Sequence, residues 1–234
     1  INKNQKKLLL EDRPEIEYSI LSLDIGSETN INTKSLFIEN KDLAIPIKPF
    51  FNALKWINNQ DIYRNNSAAK PFIIIGAGFA GIEIAFALRR RWPKRYIQLY
   101  AKTENKFNKN IIKSFLDSDI ELKVSNEIIK DSALICTGNK QFEWLLNSGF
   151  SLDENGRILT TNTLQVLDYP EVFAVGDCGV MKGDHRPPSG VWAVRSAAKL
   201  ARNLENMFTG INLEKWNPQK NAIQLLDLNS RKRG

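Results

Sequence analysis

The sequence predicts an α/β fold in which a strand–glycine turn–helix unit is inserted into a second domain. Three observations carry this. The stretch "FIIIGAGFAGIEIAFALRRR", residues 72–91, changes from a continuous apolar run to helical spacing across three glycines. Strand-like and helix-like segments alternate from there to about residue 138. Short strands and hairpins flank that alternation on both sides.

The elements follow in order along the chain. Residues 6–10 and 16–25 form two strands around the turn "EDRPE", the second growing apolar and ending in Gly26-Ser27. After a loop, "AIPIKPFFNALKWI" connects into a short helix. Phe72 to Ile75 is an unbroken apolar run, suited to a strand buried on both faces. Ile82, Ala85, Phe86 and Leu88 then follow helical spacing; Arg89, Arg90 and Arg91 fall in the last turn, and Pro93 stops the helix. "YIQLY" (96–100) is a strand, "NIIKSFLDSD" a helix, "IELKV" a strand, and "SALICTG" a buried strand ending in Gly138. "QFEWLLNSGF" is a short helical segment, and "GRILTTNTLQVLDYPEVFAVGDC" supplies short strands. "SGVWAVRSAAKLARNLENMF" is an amphipathic helix expected to bury Ala197, Ala198, Ala201 and Leu204 and to end at Gly210.

Composition excludes several classes. A chain of 234 residues with 42% hydrophobic and 25% charged residues supports an ordinary core. The net charge of +7 is scattered, its tight runs being 89–91 and 231–233, so it does not point to nucleic acid. Glu83 and the three glycines interrupt 72–91 too strongly for a membrane span. Cys136 and Cys178 form no CxxC and suit a reducing, cytoplasmic compartment. His185 is the single histidine, in the loop "GDHRPP", so no histidine-based metal cluster is expected and no metal site is assigned. Cys136, in a buried strand, is expected to be inert.

The turn Gly76-x-Gly78-x-x-Gly81 has the context of a dinucleotide site. Gly76 permits the tight exit from the strand. Gly78 lets the backbone approach a pyrophosphate, and Gly81 lets the helix pack closely on the strand. Phe79 and Ala80 complete the turn, and the helix start offers unpaired N–H groups to the anion. A ligand-free strand–helix corner is the alternative. At the end of the 96–100 strand, where an acid would select NAD, the chain has Ala101-Lys102, with Glu104 later. Lys102 either meets a 2′-phosphate or is a solvated loop lysine.

Together these motifs resemble the FAD-dependent pyridine nucleotide oxidoreductases, the flavoproteins with two dinucleotide sites. "IIIGAGFAGIEIAFALRRR" resembles their NAD(P)H unit, "YSILSLDIGS" and "SALICTG" their two crossover strands, and "LTTNTLQVLDYPEVFAVGDC" their second FAD motif. "RPPSGVWAVRSAAKLARNL" resembles the helix that approaches the flavin ring. Within the family, "LSLDIGS", "IPIKP" and "PPSGVWAVR" are most similar to the type II NADH dehydrogenase-like module, sometimes fused to selenide, water dikinase.

The resemblance implies an FAD/NAD(P)-binding Rossmann-like fold with an NAD(P)H-binding domain (50–138) inserted into a partial FAD-binding domain (1–49 and 139–210), then a tail, 211–234. It implies hydride transfer from NAD(P)H to FAD and electron transfer to a quinone-like or other small acceptor. Glu83 would lie near the nicotinamide as the catalytic residue, or else pair with an arginine. Asp177 would accept hydrogen bonds from ribityl hydroxyls, or else cap a helix. Gly138 would end a crossover strand at the cofactor, and Gly190, Val191 and Trp192 would offer backbone N–H groups to the flavin, with core packing the alternative for Trp192. Further implications are a fused kinase-like domain or a homodimer, and peripheral association of the parent protein with the inner membrane face.

The chain also departs from the family. No GxGxxG precedes residue 76, Tyr18-Ser19 stands where "YD" is usual, and the stretch between "IELKV" and "SALICTG" is short. The expectation is an N-terminally truncated fragment with an incomplete FAD site, inactive alone. A non-catalytic NAD(P)H-binding regulatory module is the alternative.

Overall fold

The computed structural model describes residues 1–32, 36–103, 107, 109–124, 127–184 and 186–219. Glu104, His185 and the tail 220–234 lie outside the described residues. The chain forms two compact units: Ile1–Ser27 with 140–219, and Glu28–Asn139.

The first unit opens with β1 (Lys7–Leu8) and β2 (Ile16–Glu17), an antiparallel pair closed by the ion pair of Lys7 with Glu15. β3 (Leu21–Leu23) belongs to a different sheet, so the strand expected over 16–25 is two strands. The break follows the pattern of burial: Leu21 and Leu23 are buried, whereas Ile16 and Glu17 are exposed.

The inserted unit contains β4 (Ala44–Pro46), α1 (Phe50–Asn59), β5 (Phe72–Ile75), α2 (Phe79–Arg91), β6 (Ile97–Tyr100), α3 (Lys109–Asp117), β7 (Ile120–Lys123) and β8 (Ala133–Ile135). The five strands form one parallel sheet in the order β4-β8-β5-β6-β7. β5 sits at its centre. Phe72 and Ile74 pack into one apolar cluster with Ile82, Phe86 and Phe115, while Ile73 and Ile75 pack into another with Ala133 and Ile135. Burial on both faces is why this strand is an unbroken apolar run. The sequence-based boundary at 49/50 falls inside this unit, which begins at Glu28. The reason is the parallel register of Ala44 with Ala133 and Pro46 with Ile135, a pairing between distant segments that carries no local sequence signal.

The remaining segment of the first unit supplies α4 (Glu143–Leu146), β9 (Ile158–Thr160), β10 (Gln165–Val166), β11 (Tyr169–Ala174), β12 (Gly179–Met181) and α5 (Gly190–Thr209). The sheet runs β12-β9-β10-β11-β3. β11 pairs in parallel with β3, bringing Ala174 opposite Leu23. α5 ends at Gly210, whose φ of 72° is left-handed.

The face of α5 differs from the expected one. Ala197, Ala198 and Ala201 are exposed, and Ser196, Leu200 and Asn203 are buried. Hydrogen bonds decide this. Asn203 Nδ2 donates to the Thr163 and Glu214 carbonyls at 2.8 and 2.9 Å, and its Oδ1 accepts from the Glu214 N–H at 2.7 Å. A fully satisfied amide can be buried at little penalty, whereas an alanine face offers little apolar area to gain.

Candidate functional site

In the inserted unit the chemistry gathers at the C-terminal edge of the parallel sheet. β5 leads through Gly76 into α2, and its neighbour β8 leads through Cys136 and Thr137 to Gly138. After β5 the chain lays β6 and β7 on one side, then returns to place β8 on the other. The gap between β5 and β8 is therefore a topological switch point, where open α/β sheets take ligands.

Each glycine has a separate steric role. Gly76 adopts φ of 110°, and a Cβ there would lie 2.7 Å from the Cys136 carbonyl carbon. At Gly81 a Cβ would lie 1.9 Å from the Gly76 carbonyl oxygen, so the helix approaches its own strand too closely for any side chain. Gly78 differs: a Cβ there meets nothing within 4 Å. Open space thus lies over Gly78 at the start of α2, and no side chain caps that helix. Phe79 and Ala80 are exposed beside it. An uncapped helix start facing open space is suited to an anion.

The surrounding positions follow from the strand ends. Lys102 is exposed, two residues beyond β6 on the same edge. Gly138, with φ of 29°, is exposed, and its carbonyl accepts the Asn30 N–H at 3.2 Å. The Thr137 hydroxyl donates to the Asn30 carbonyl at 3.1 Å. Glu83 projects from the second turn of α2, exposed and without an ion pair among the described residues. The other end of α2 is closed by Arg89, which donates to the Trp92, Pro93 and Asp119 carbonyls. Cys136 is pushed up to about 12 by burial, which keeps it a thiol.

In the first unit a second arrangement centres on Asp177, in the 3-10 turn Gly176–Cys178 after β11. Ser27 Oγ donates to Asp177 Oδ2 at 2.9 Å, and Gln141 Nε2 donates to the Asp177 carbonyl at 2.8 Å. Neither Ser27 nor Gln141 was marked by the sequence pattern; the Gly26-Ser27 strand end was the available signal for Ser27. Gly176, at φ of 69°, sits where a Cβ would come 2.5 Å from Asp24 Oδ1. Cys178 is buried, its thiol directed at the Val175 and Leu23 carbonyls, and burial pushes its pKa up.

The start of α5 is closed by its own cap. The Val191 N–H donates to Ser189 Oγ at 3.3 Å and the Trp192 N–H to the Ser189 carbonyl at 3.0 Å. Gly190 is exposed, and a Cβ there would meet nothing within 4 Å. Trp192 is half-buried rather than in the core, its ring stacked by the Arg186 guanidinium at 4.7 Å.

Comparison with known proteins gives the family context. No family model matches the chain. It is 24% identical over 254 residues to ferroptosis suppressor protein 1 of Xenopus tropicalis, covering 93% of this chain and 64% of that protein. It is 24% identical to the type II NADH:quinone oxidoreductase of Staphylococcus aureus, covering 75% of this chain and 56% of that protein. The water-forming NADH oxidase of Lactobacillus brevis, solved with NADH bound, superimposes with a TM-score of 0.70 at 20% identity, covering 92% of this chain and 53% of that one. In sequence the chain is similar to these proteins, and in fold it is similar to the NADH oxidase. The α/β architecture, with its parallel sheet in the inserted unit, is that of an FAD/NAD(P)-binding Rossmann-like fold. The chain spans less than two thirds of the length of the relatives it matches. Among the described residues no helix is long and apolar enough to cross a membrane.

Proposed function

We propose that the inserted unit binds NAD(P)H, and that the chain serves an NADH dehydrogenase-like flavoprotein oxidoreductase delivering electrons to a quinone-like or other small acceptor. The observation that carries this is the uncapped start of α2 beside open space at Gly78, at the switch point of a parallel sheet. The α2 N–H groups hold the pyrophosphate, Gly138 flanks it from β8, and Lys102 stands where a 2′-phosphate would lie. Glu83 orients the nicotinamide end. When bound, the two cofactors supply the hydride chemistry, and the chain supplies placement and charge. Asp177, held by Ser27, is the acceptor for ribityl hydroxyls in the first unit. The names of the relatives, NADH dehydrogenases and quinone oxidoreductases, support this reading.

Gly78→Val tests it. A valine at this open position leaves the fold intact but fills the space a pyrophosphate needs. Calorimetric titration with NADH and NADPH is expected to show at least a tenfold loss, roughly 1.4 kcal/mol, with unchanged circular dichroism. Equal affinity in a folded variant overturns the assignment.

A second reading is a non-catalytic NAD(P)H-binding regulatory module of a larger protein, such as one fused to selenide, water dikinase. One observation favours it: the Ser189 cap already engages the Val191 and Trp192 N–H groups. Asp177 alone contributes on the order of 1.5–3 kcal/mol to flavin, whereas micromolar binding needs about 8 kcal/mol. The 234-residue chain is accordingly expected to purify without FAD. Stoichiometric absorbance in the flavin band, reduced by Asp177→Ala, would instead show a working FAD site.

A further inference from the structure

A cavity lies at the opposite end of the inserted sheet from the glycine turn. It has a volume of 350 Å³ and is lined by Trp56, Tyr63, Phe72, Arg95 and the Lys70–Asp131 pair, among others. Phe72 begins β5, Arg95 comes just before β6, and Asp131 just before β8. The cavity is therefore at the N-terminal edge of the strands, whereas Gly76 and Gly138 follow their C-terminal ends. Its size is that of a small-molecule pocket.

Arg95 is its unusual member. The side chain is 4% exposed, and the guanidinium sits 5.2, 5.4 and 5.1 Å from the ring centroids of Tyr63, Phe72 and Trp92. Its two terminal nitrogens donate to Gln60, one to the carbonyl at 3.2 Å and one to Oε1 at 3.0 Å. Among the described residues its buried Nε–H has no acceptor. Among the described residues no carboxylate lies within ion-pair distance of it; Asp61 is held by Arg91 and Trp92, and Asp131 by Lys70 at 2.5 Å. Burial pushes the guanidinium pKa down. A buried cation facing only neutral acceptors and rings lacks its main source of compensation, a counter-charge.

We propose that this cavity binds an aromatic carboxylate. The lining carries one net positive charge, since Lys70 and Asp131 cancel. Its accessible walls are the indole of Trp56 and the phenol of Tyr63, with Phe72 buried behind them, flat apolar faces that a hydrated ion such as phosphate would leave unused. A ligand with a ring body and one carboxylate fills both requirements: the ring packs on the aromatic walls, and the carboxylate brings the counter-charge that the buried Arg95 guanidinium lacks.

Calorimetry on the full chain with 1-naphthoate, its neutral amide and inorganic phosphate tests this. Saturable binding of naphthoate is expected, at least tenfold tighter than the amide or phosphate. Arg95→Met should abolish the preference over the amide, and Tyr63→Leu, at a position 40% exposed, should weaken naphthoate several-fold. Gly78→Val should leave naphthoate binding unchanged, which separates this cavity from the glycine turn. Circular dichroism and NADH titration report folding; if Arg95→Met fails to fold, Tyr63→Leu decides. The proposal is overturned by absence of binding, by equal affinity for the amide, by tighter phosphate binding, by unaltered binding in a folded Arg95→Met or Tyr63→Leu, or by loss in Gly78→Val.

Discussion

The two helices whose starts were expected to meet cofactors, α2 and α5, solve the same electrostatic problem differently. Both leave N–H groups without helical partners and carry a positive dipole end. α5 satisfies two of them from its own chain: Ser189 supplies a side-chain oxygen to Val191 and a carbonyl to Trp192. α2 begins at Gly78, has no side-chain cap, and faces space in which a Cβ would meet nothing. A helix start that the protein caps needs no ligand, whereas one left open is preorganised for an anion. The contrast also separates the glycines: a Cβ at Gly81 would collide with the Gly76 carbonyl, whereas one at Gly78 would meet nothing in the fold.

Changes at these positions should break the comparison in graded steps. Gly81→Val places atoms on the Gly76 carbonyl oxygen and should have the largest effect, about 3 kcal/mol or more. That corresponds to a fall in Tm of roughly 6–12 °C for a chain of this size. Calorimetry should show dinucleotide binding lost along with stability, unlike Gly78→Val, where binding alone is lost. An unchanged Tm would mean that α2 can move away from β5 freely.

Lys102→Glu acts on the ligand rather than the fold. Loss of a charge-assisted contact of roughly 1.5–3 kcal/mol should shift the NADPH-to-NADH affinity ratio by about tenfold to a hundredfold. Equal ratios in parent and variant would return Lys102 to the status of a solvated loop lysine. Ser189→Ala should have the smallest effect. Loss of the cap costs about 1 kcal/mol, a fall in Tm of roughly 2–4 °C, with no change in NADH affinity. A concurrent loss of NADH binding would show that the two helix starts are not independent.

Much of the fold is legible because it rests on local pattern. The β5 run, the glycine spacing and the length of α2 all come from adjacent residues whose burial and backbone requirements are written in their types. The Gly76–Gly81 turn was legible for the same reason: the steric conflict that each of these two glycines avoids is a short-range one, with its own turn or with the neighbouring strand. Asp177 was legible as a residue but not as a site, because Ser27 comes from 150 positions earlier in the chain. The alanine face of α5 misled because apolar periodicity carries no information about Asn203, whose burial depends on carbonyls of Thr163 and Glu214.

The sequence by itself determined the α/β class, the inserted glycine-turn unit and the Ala101-Lys102 pair directly after β6, since each depends on residue type and short spacing. Tertiary structure alone decided that β4 joins the inserted sheet, that α5 turns its amide side inward, and that Arg95 is buried among Tyr63, Phe72 and Trp92. In "RRRWPKR" the arginines look alike. Arg91 reaches Asp61 from an exposed position, while Arg95 has Gln60 and three rings. The physical reason is that desolvation and hydrogen-bond partnership are properties of the neighbours assembled in space, and distant segments supply those neighbours.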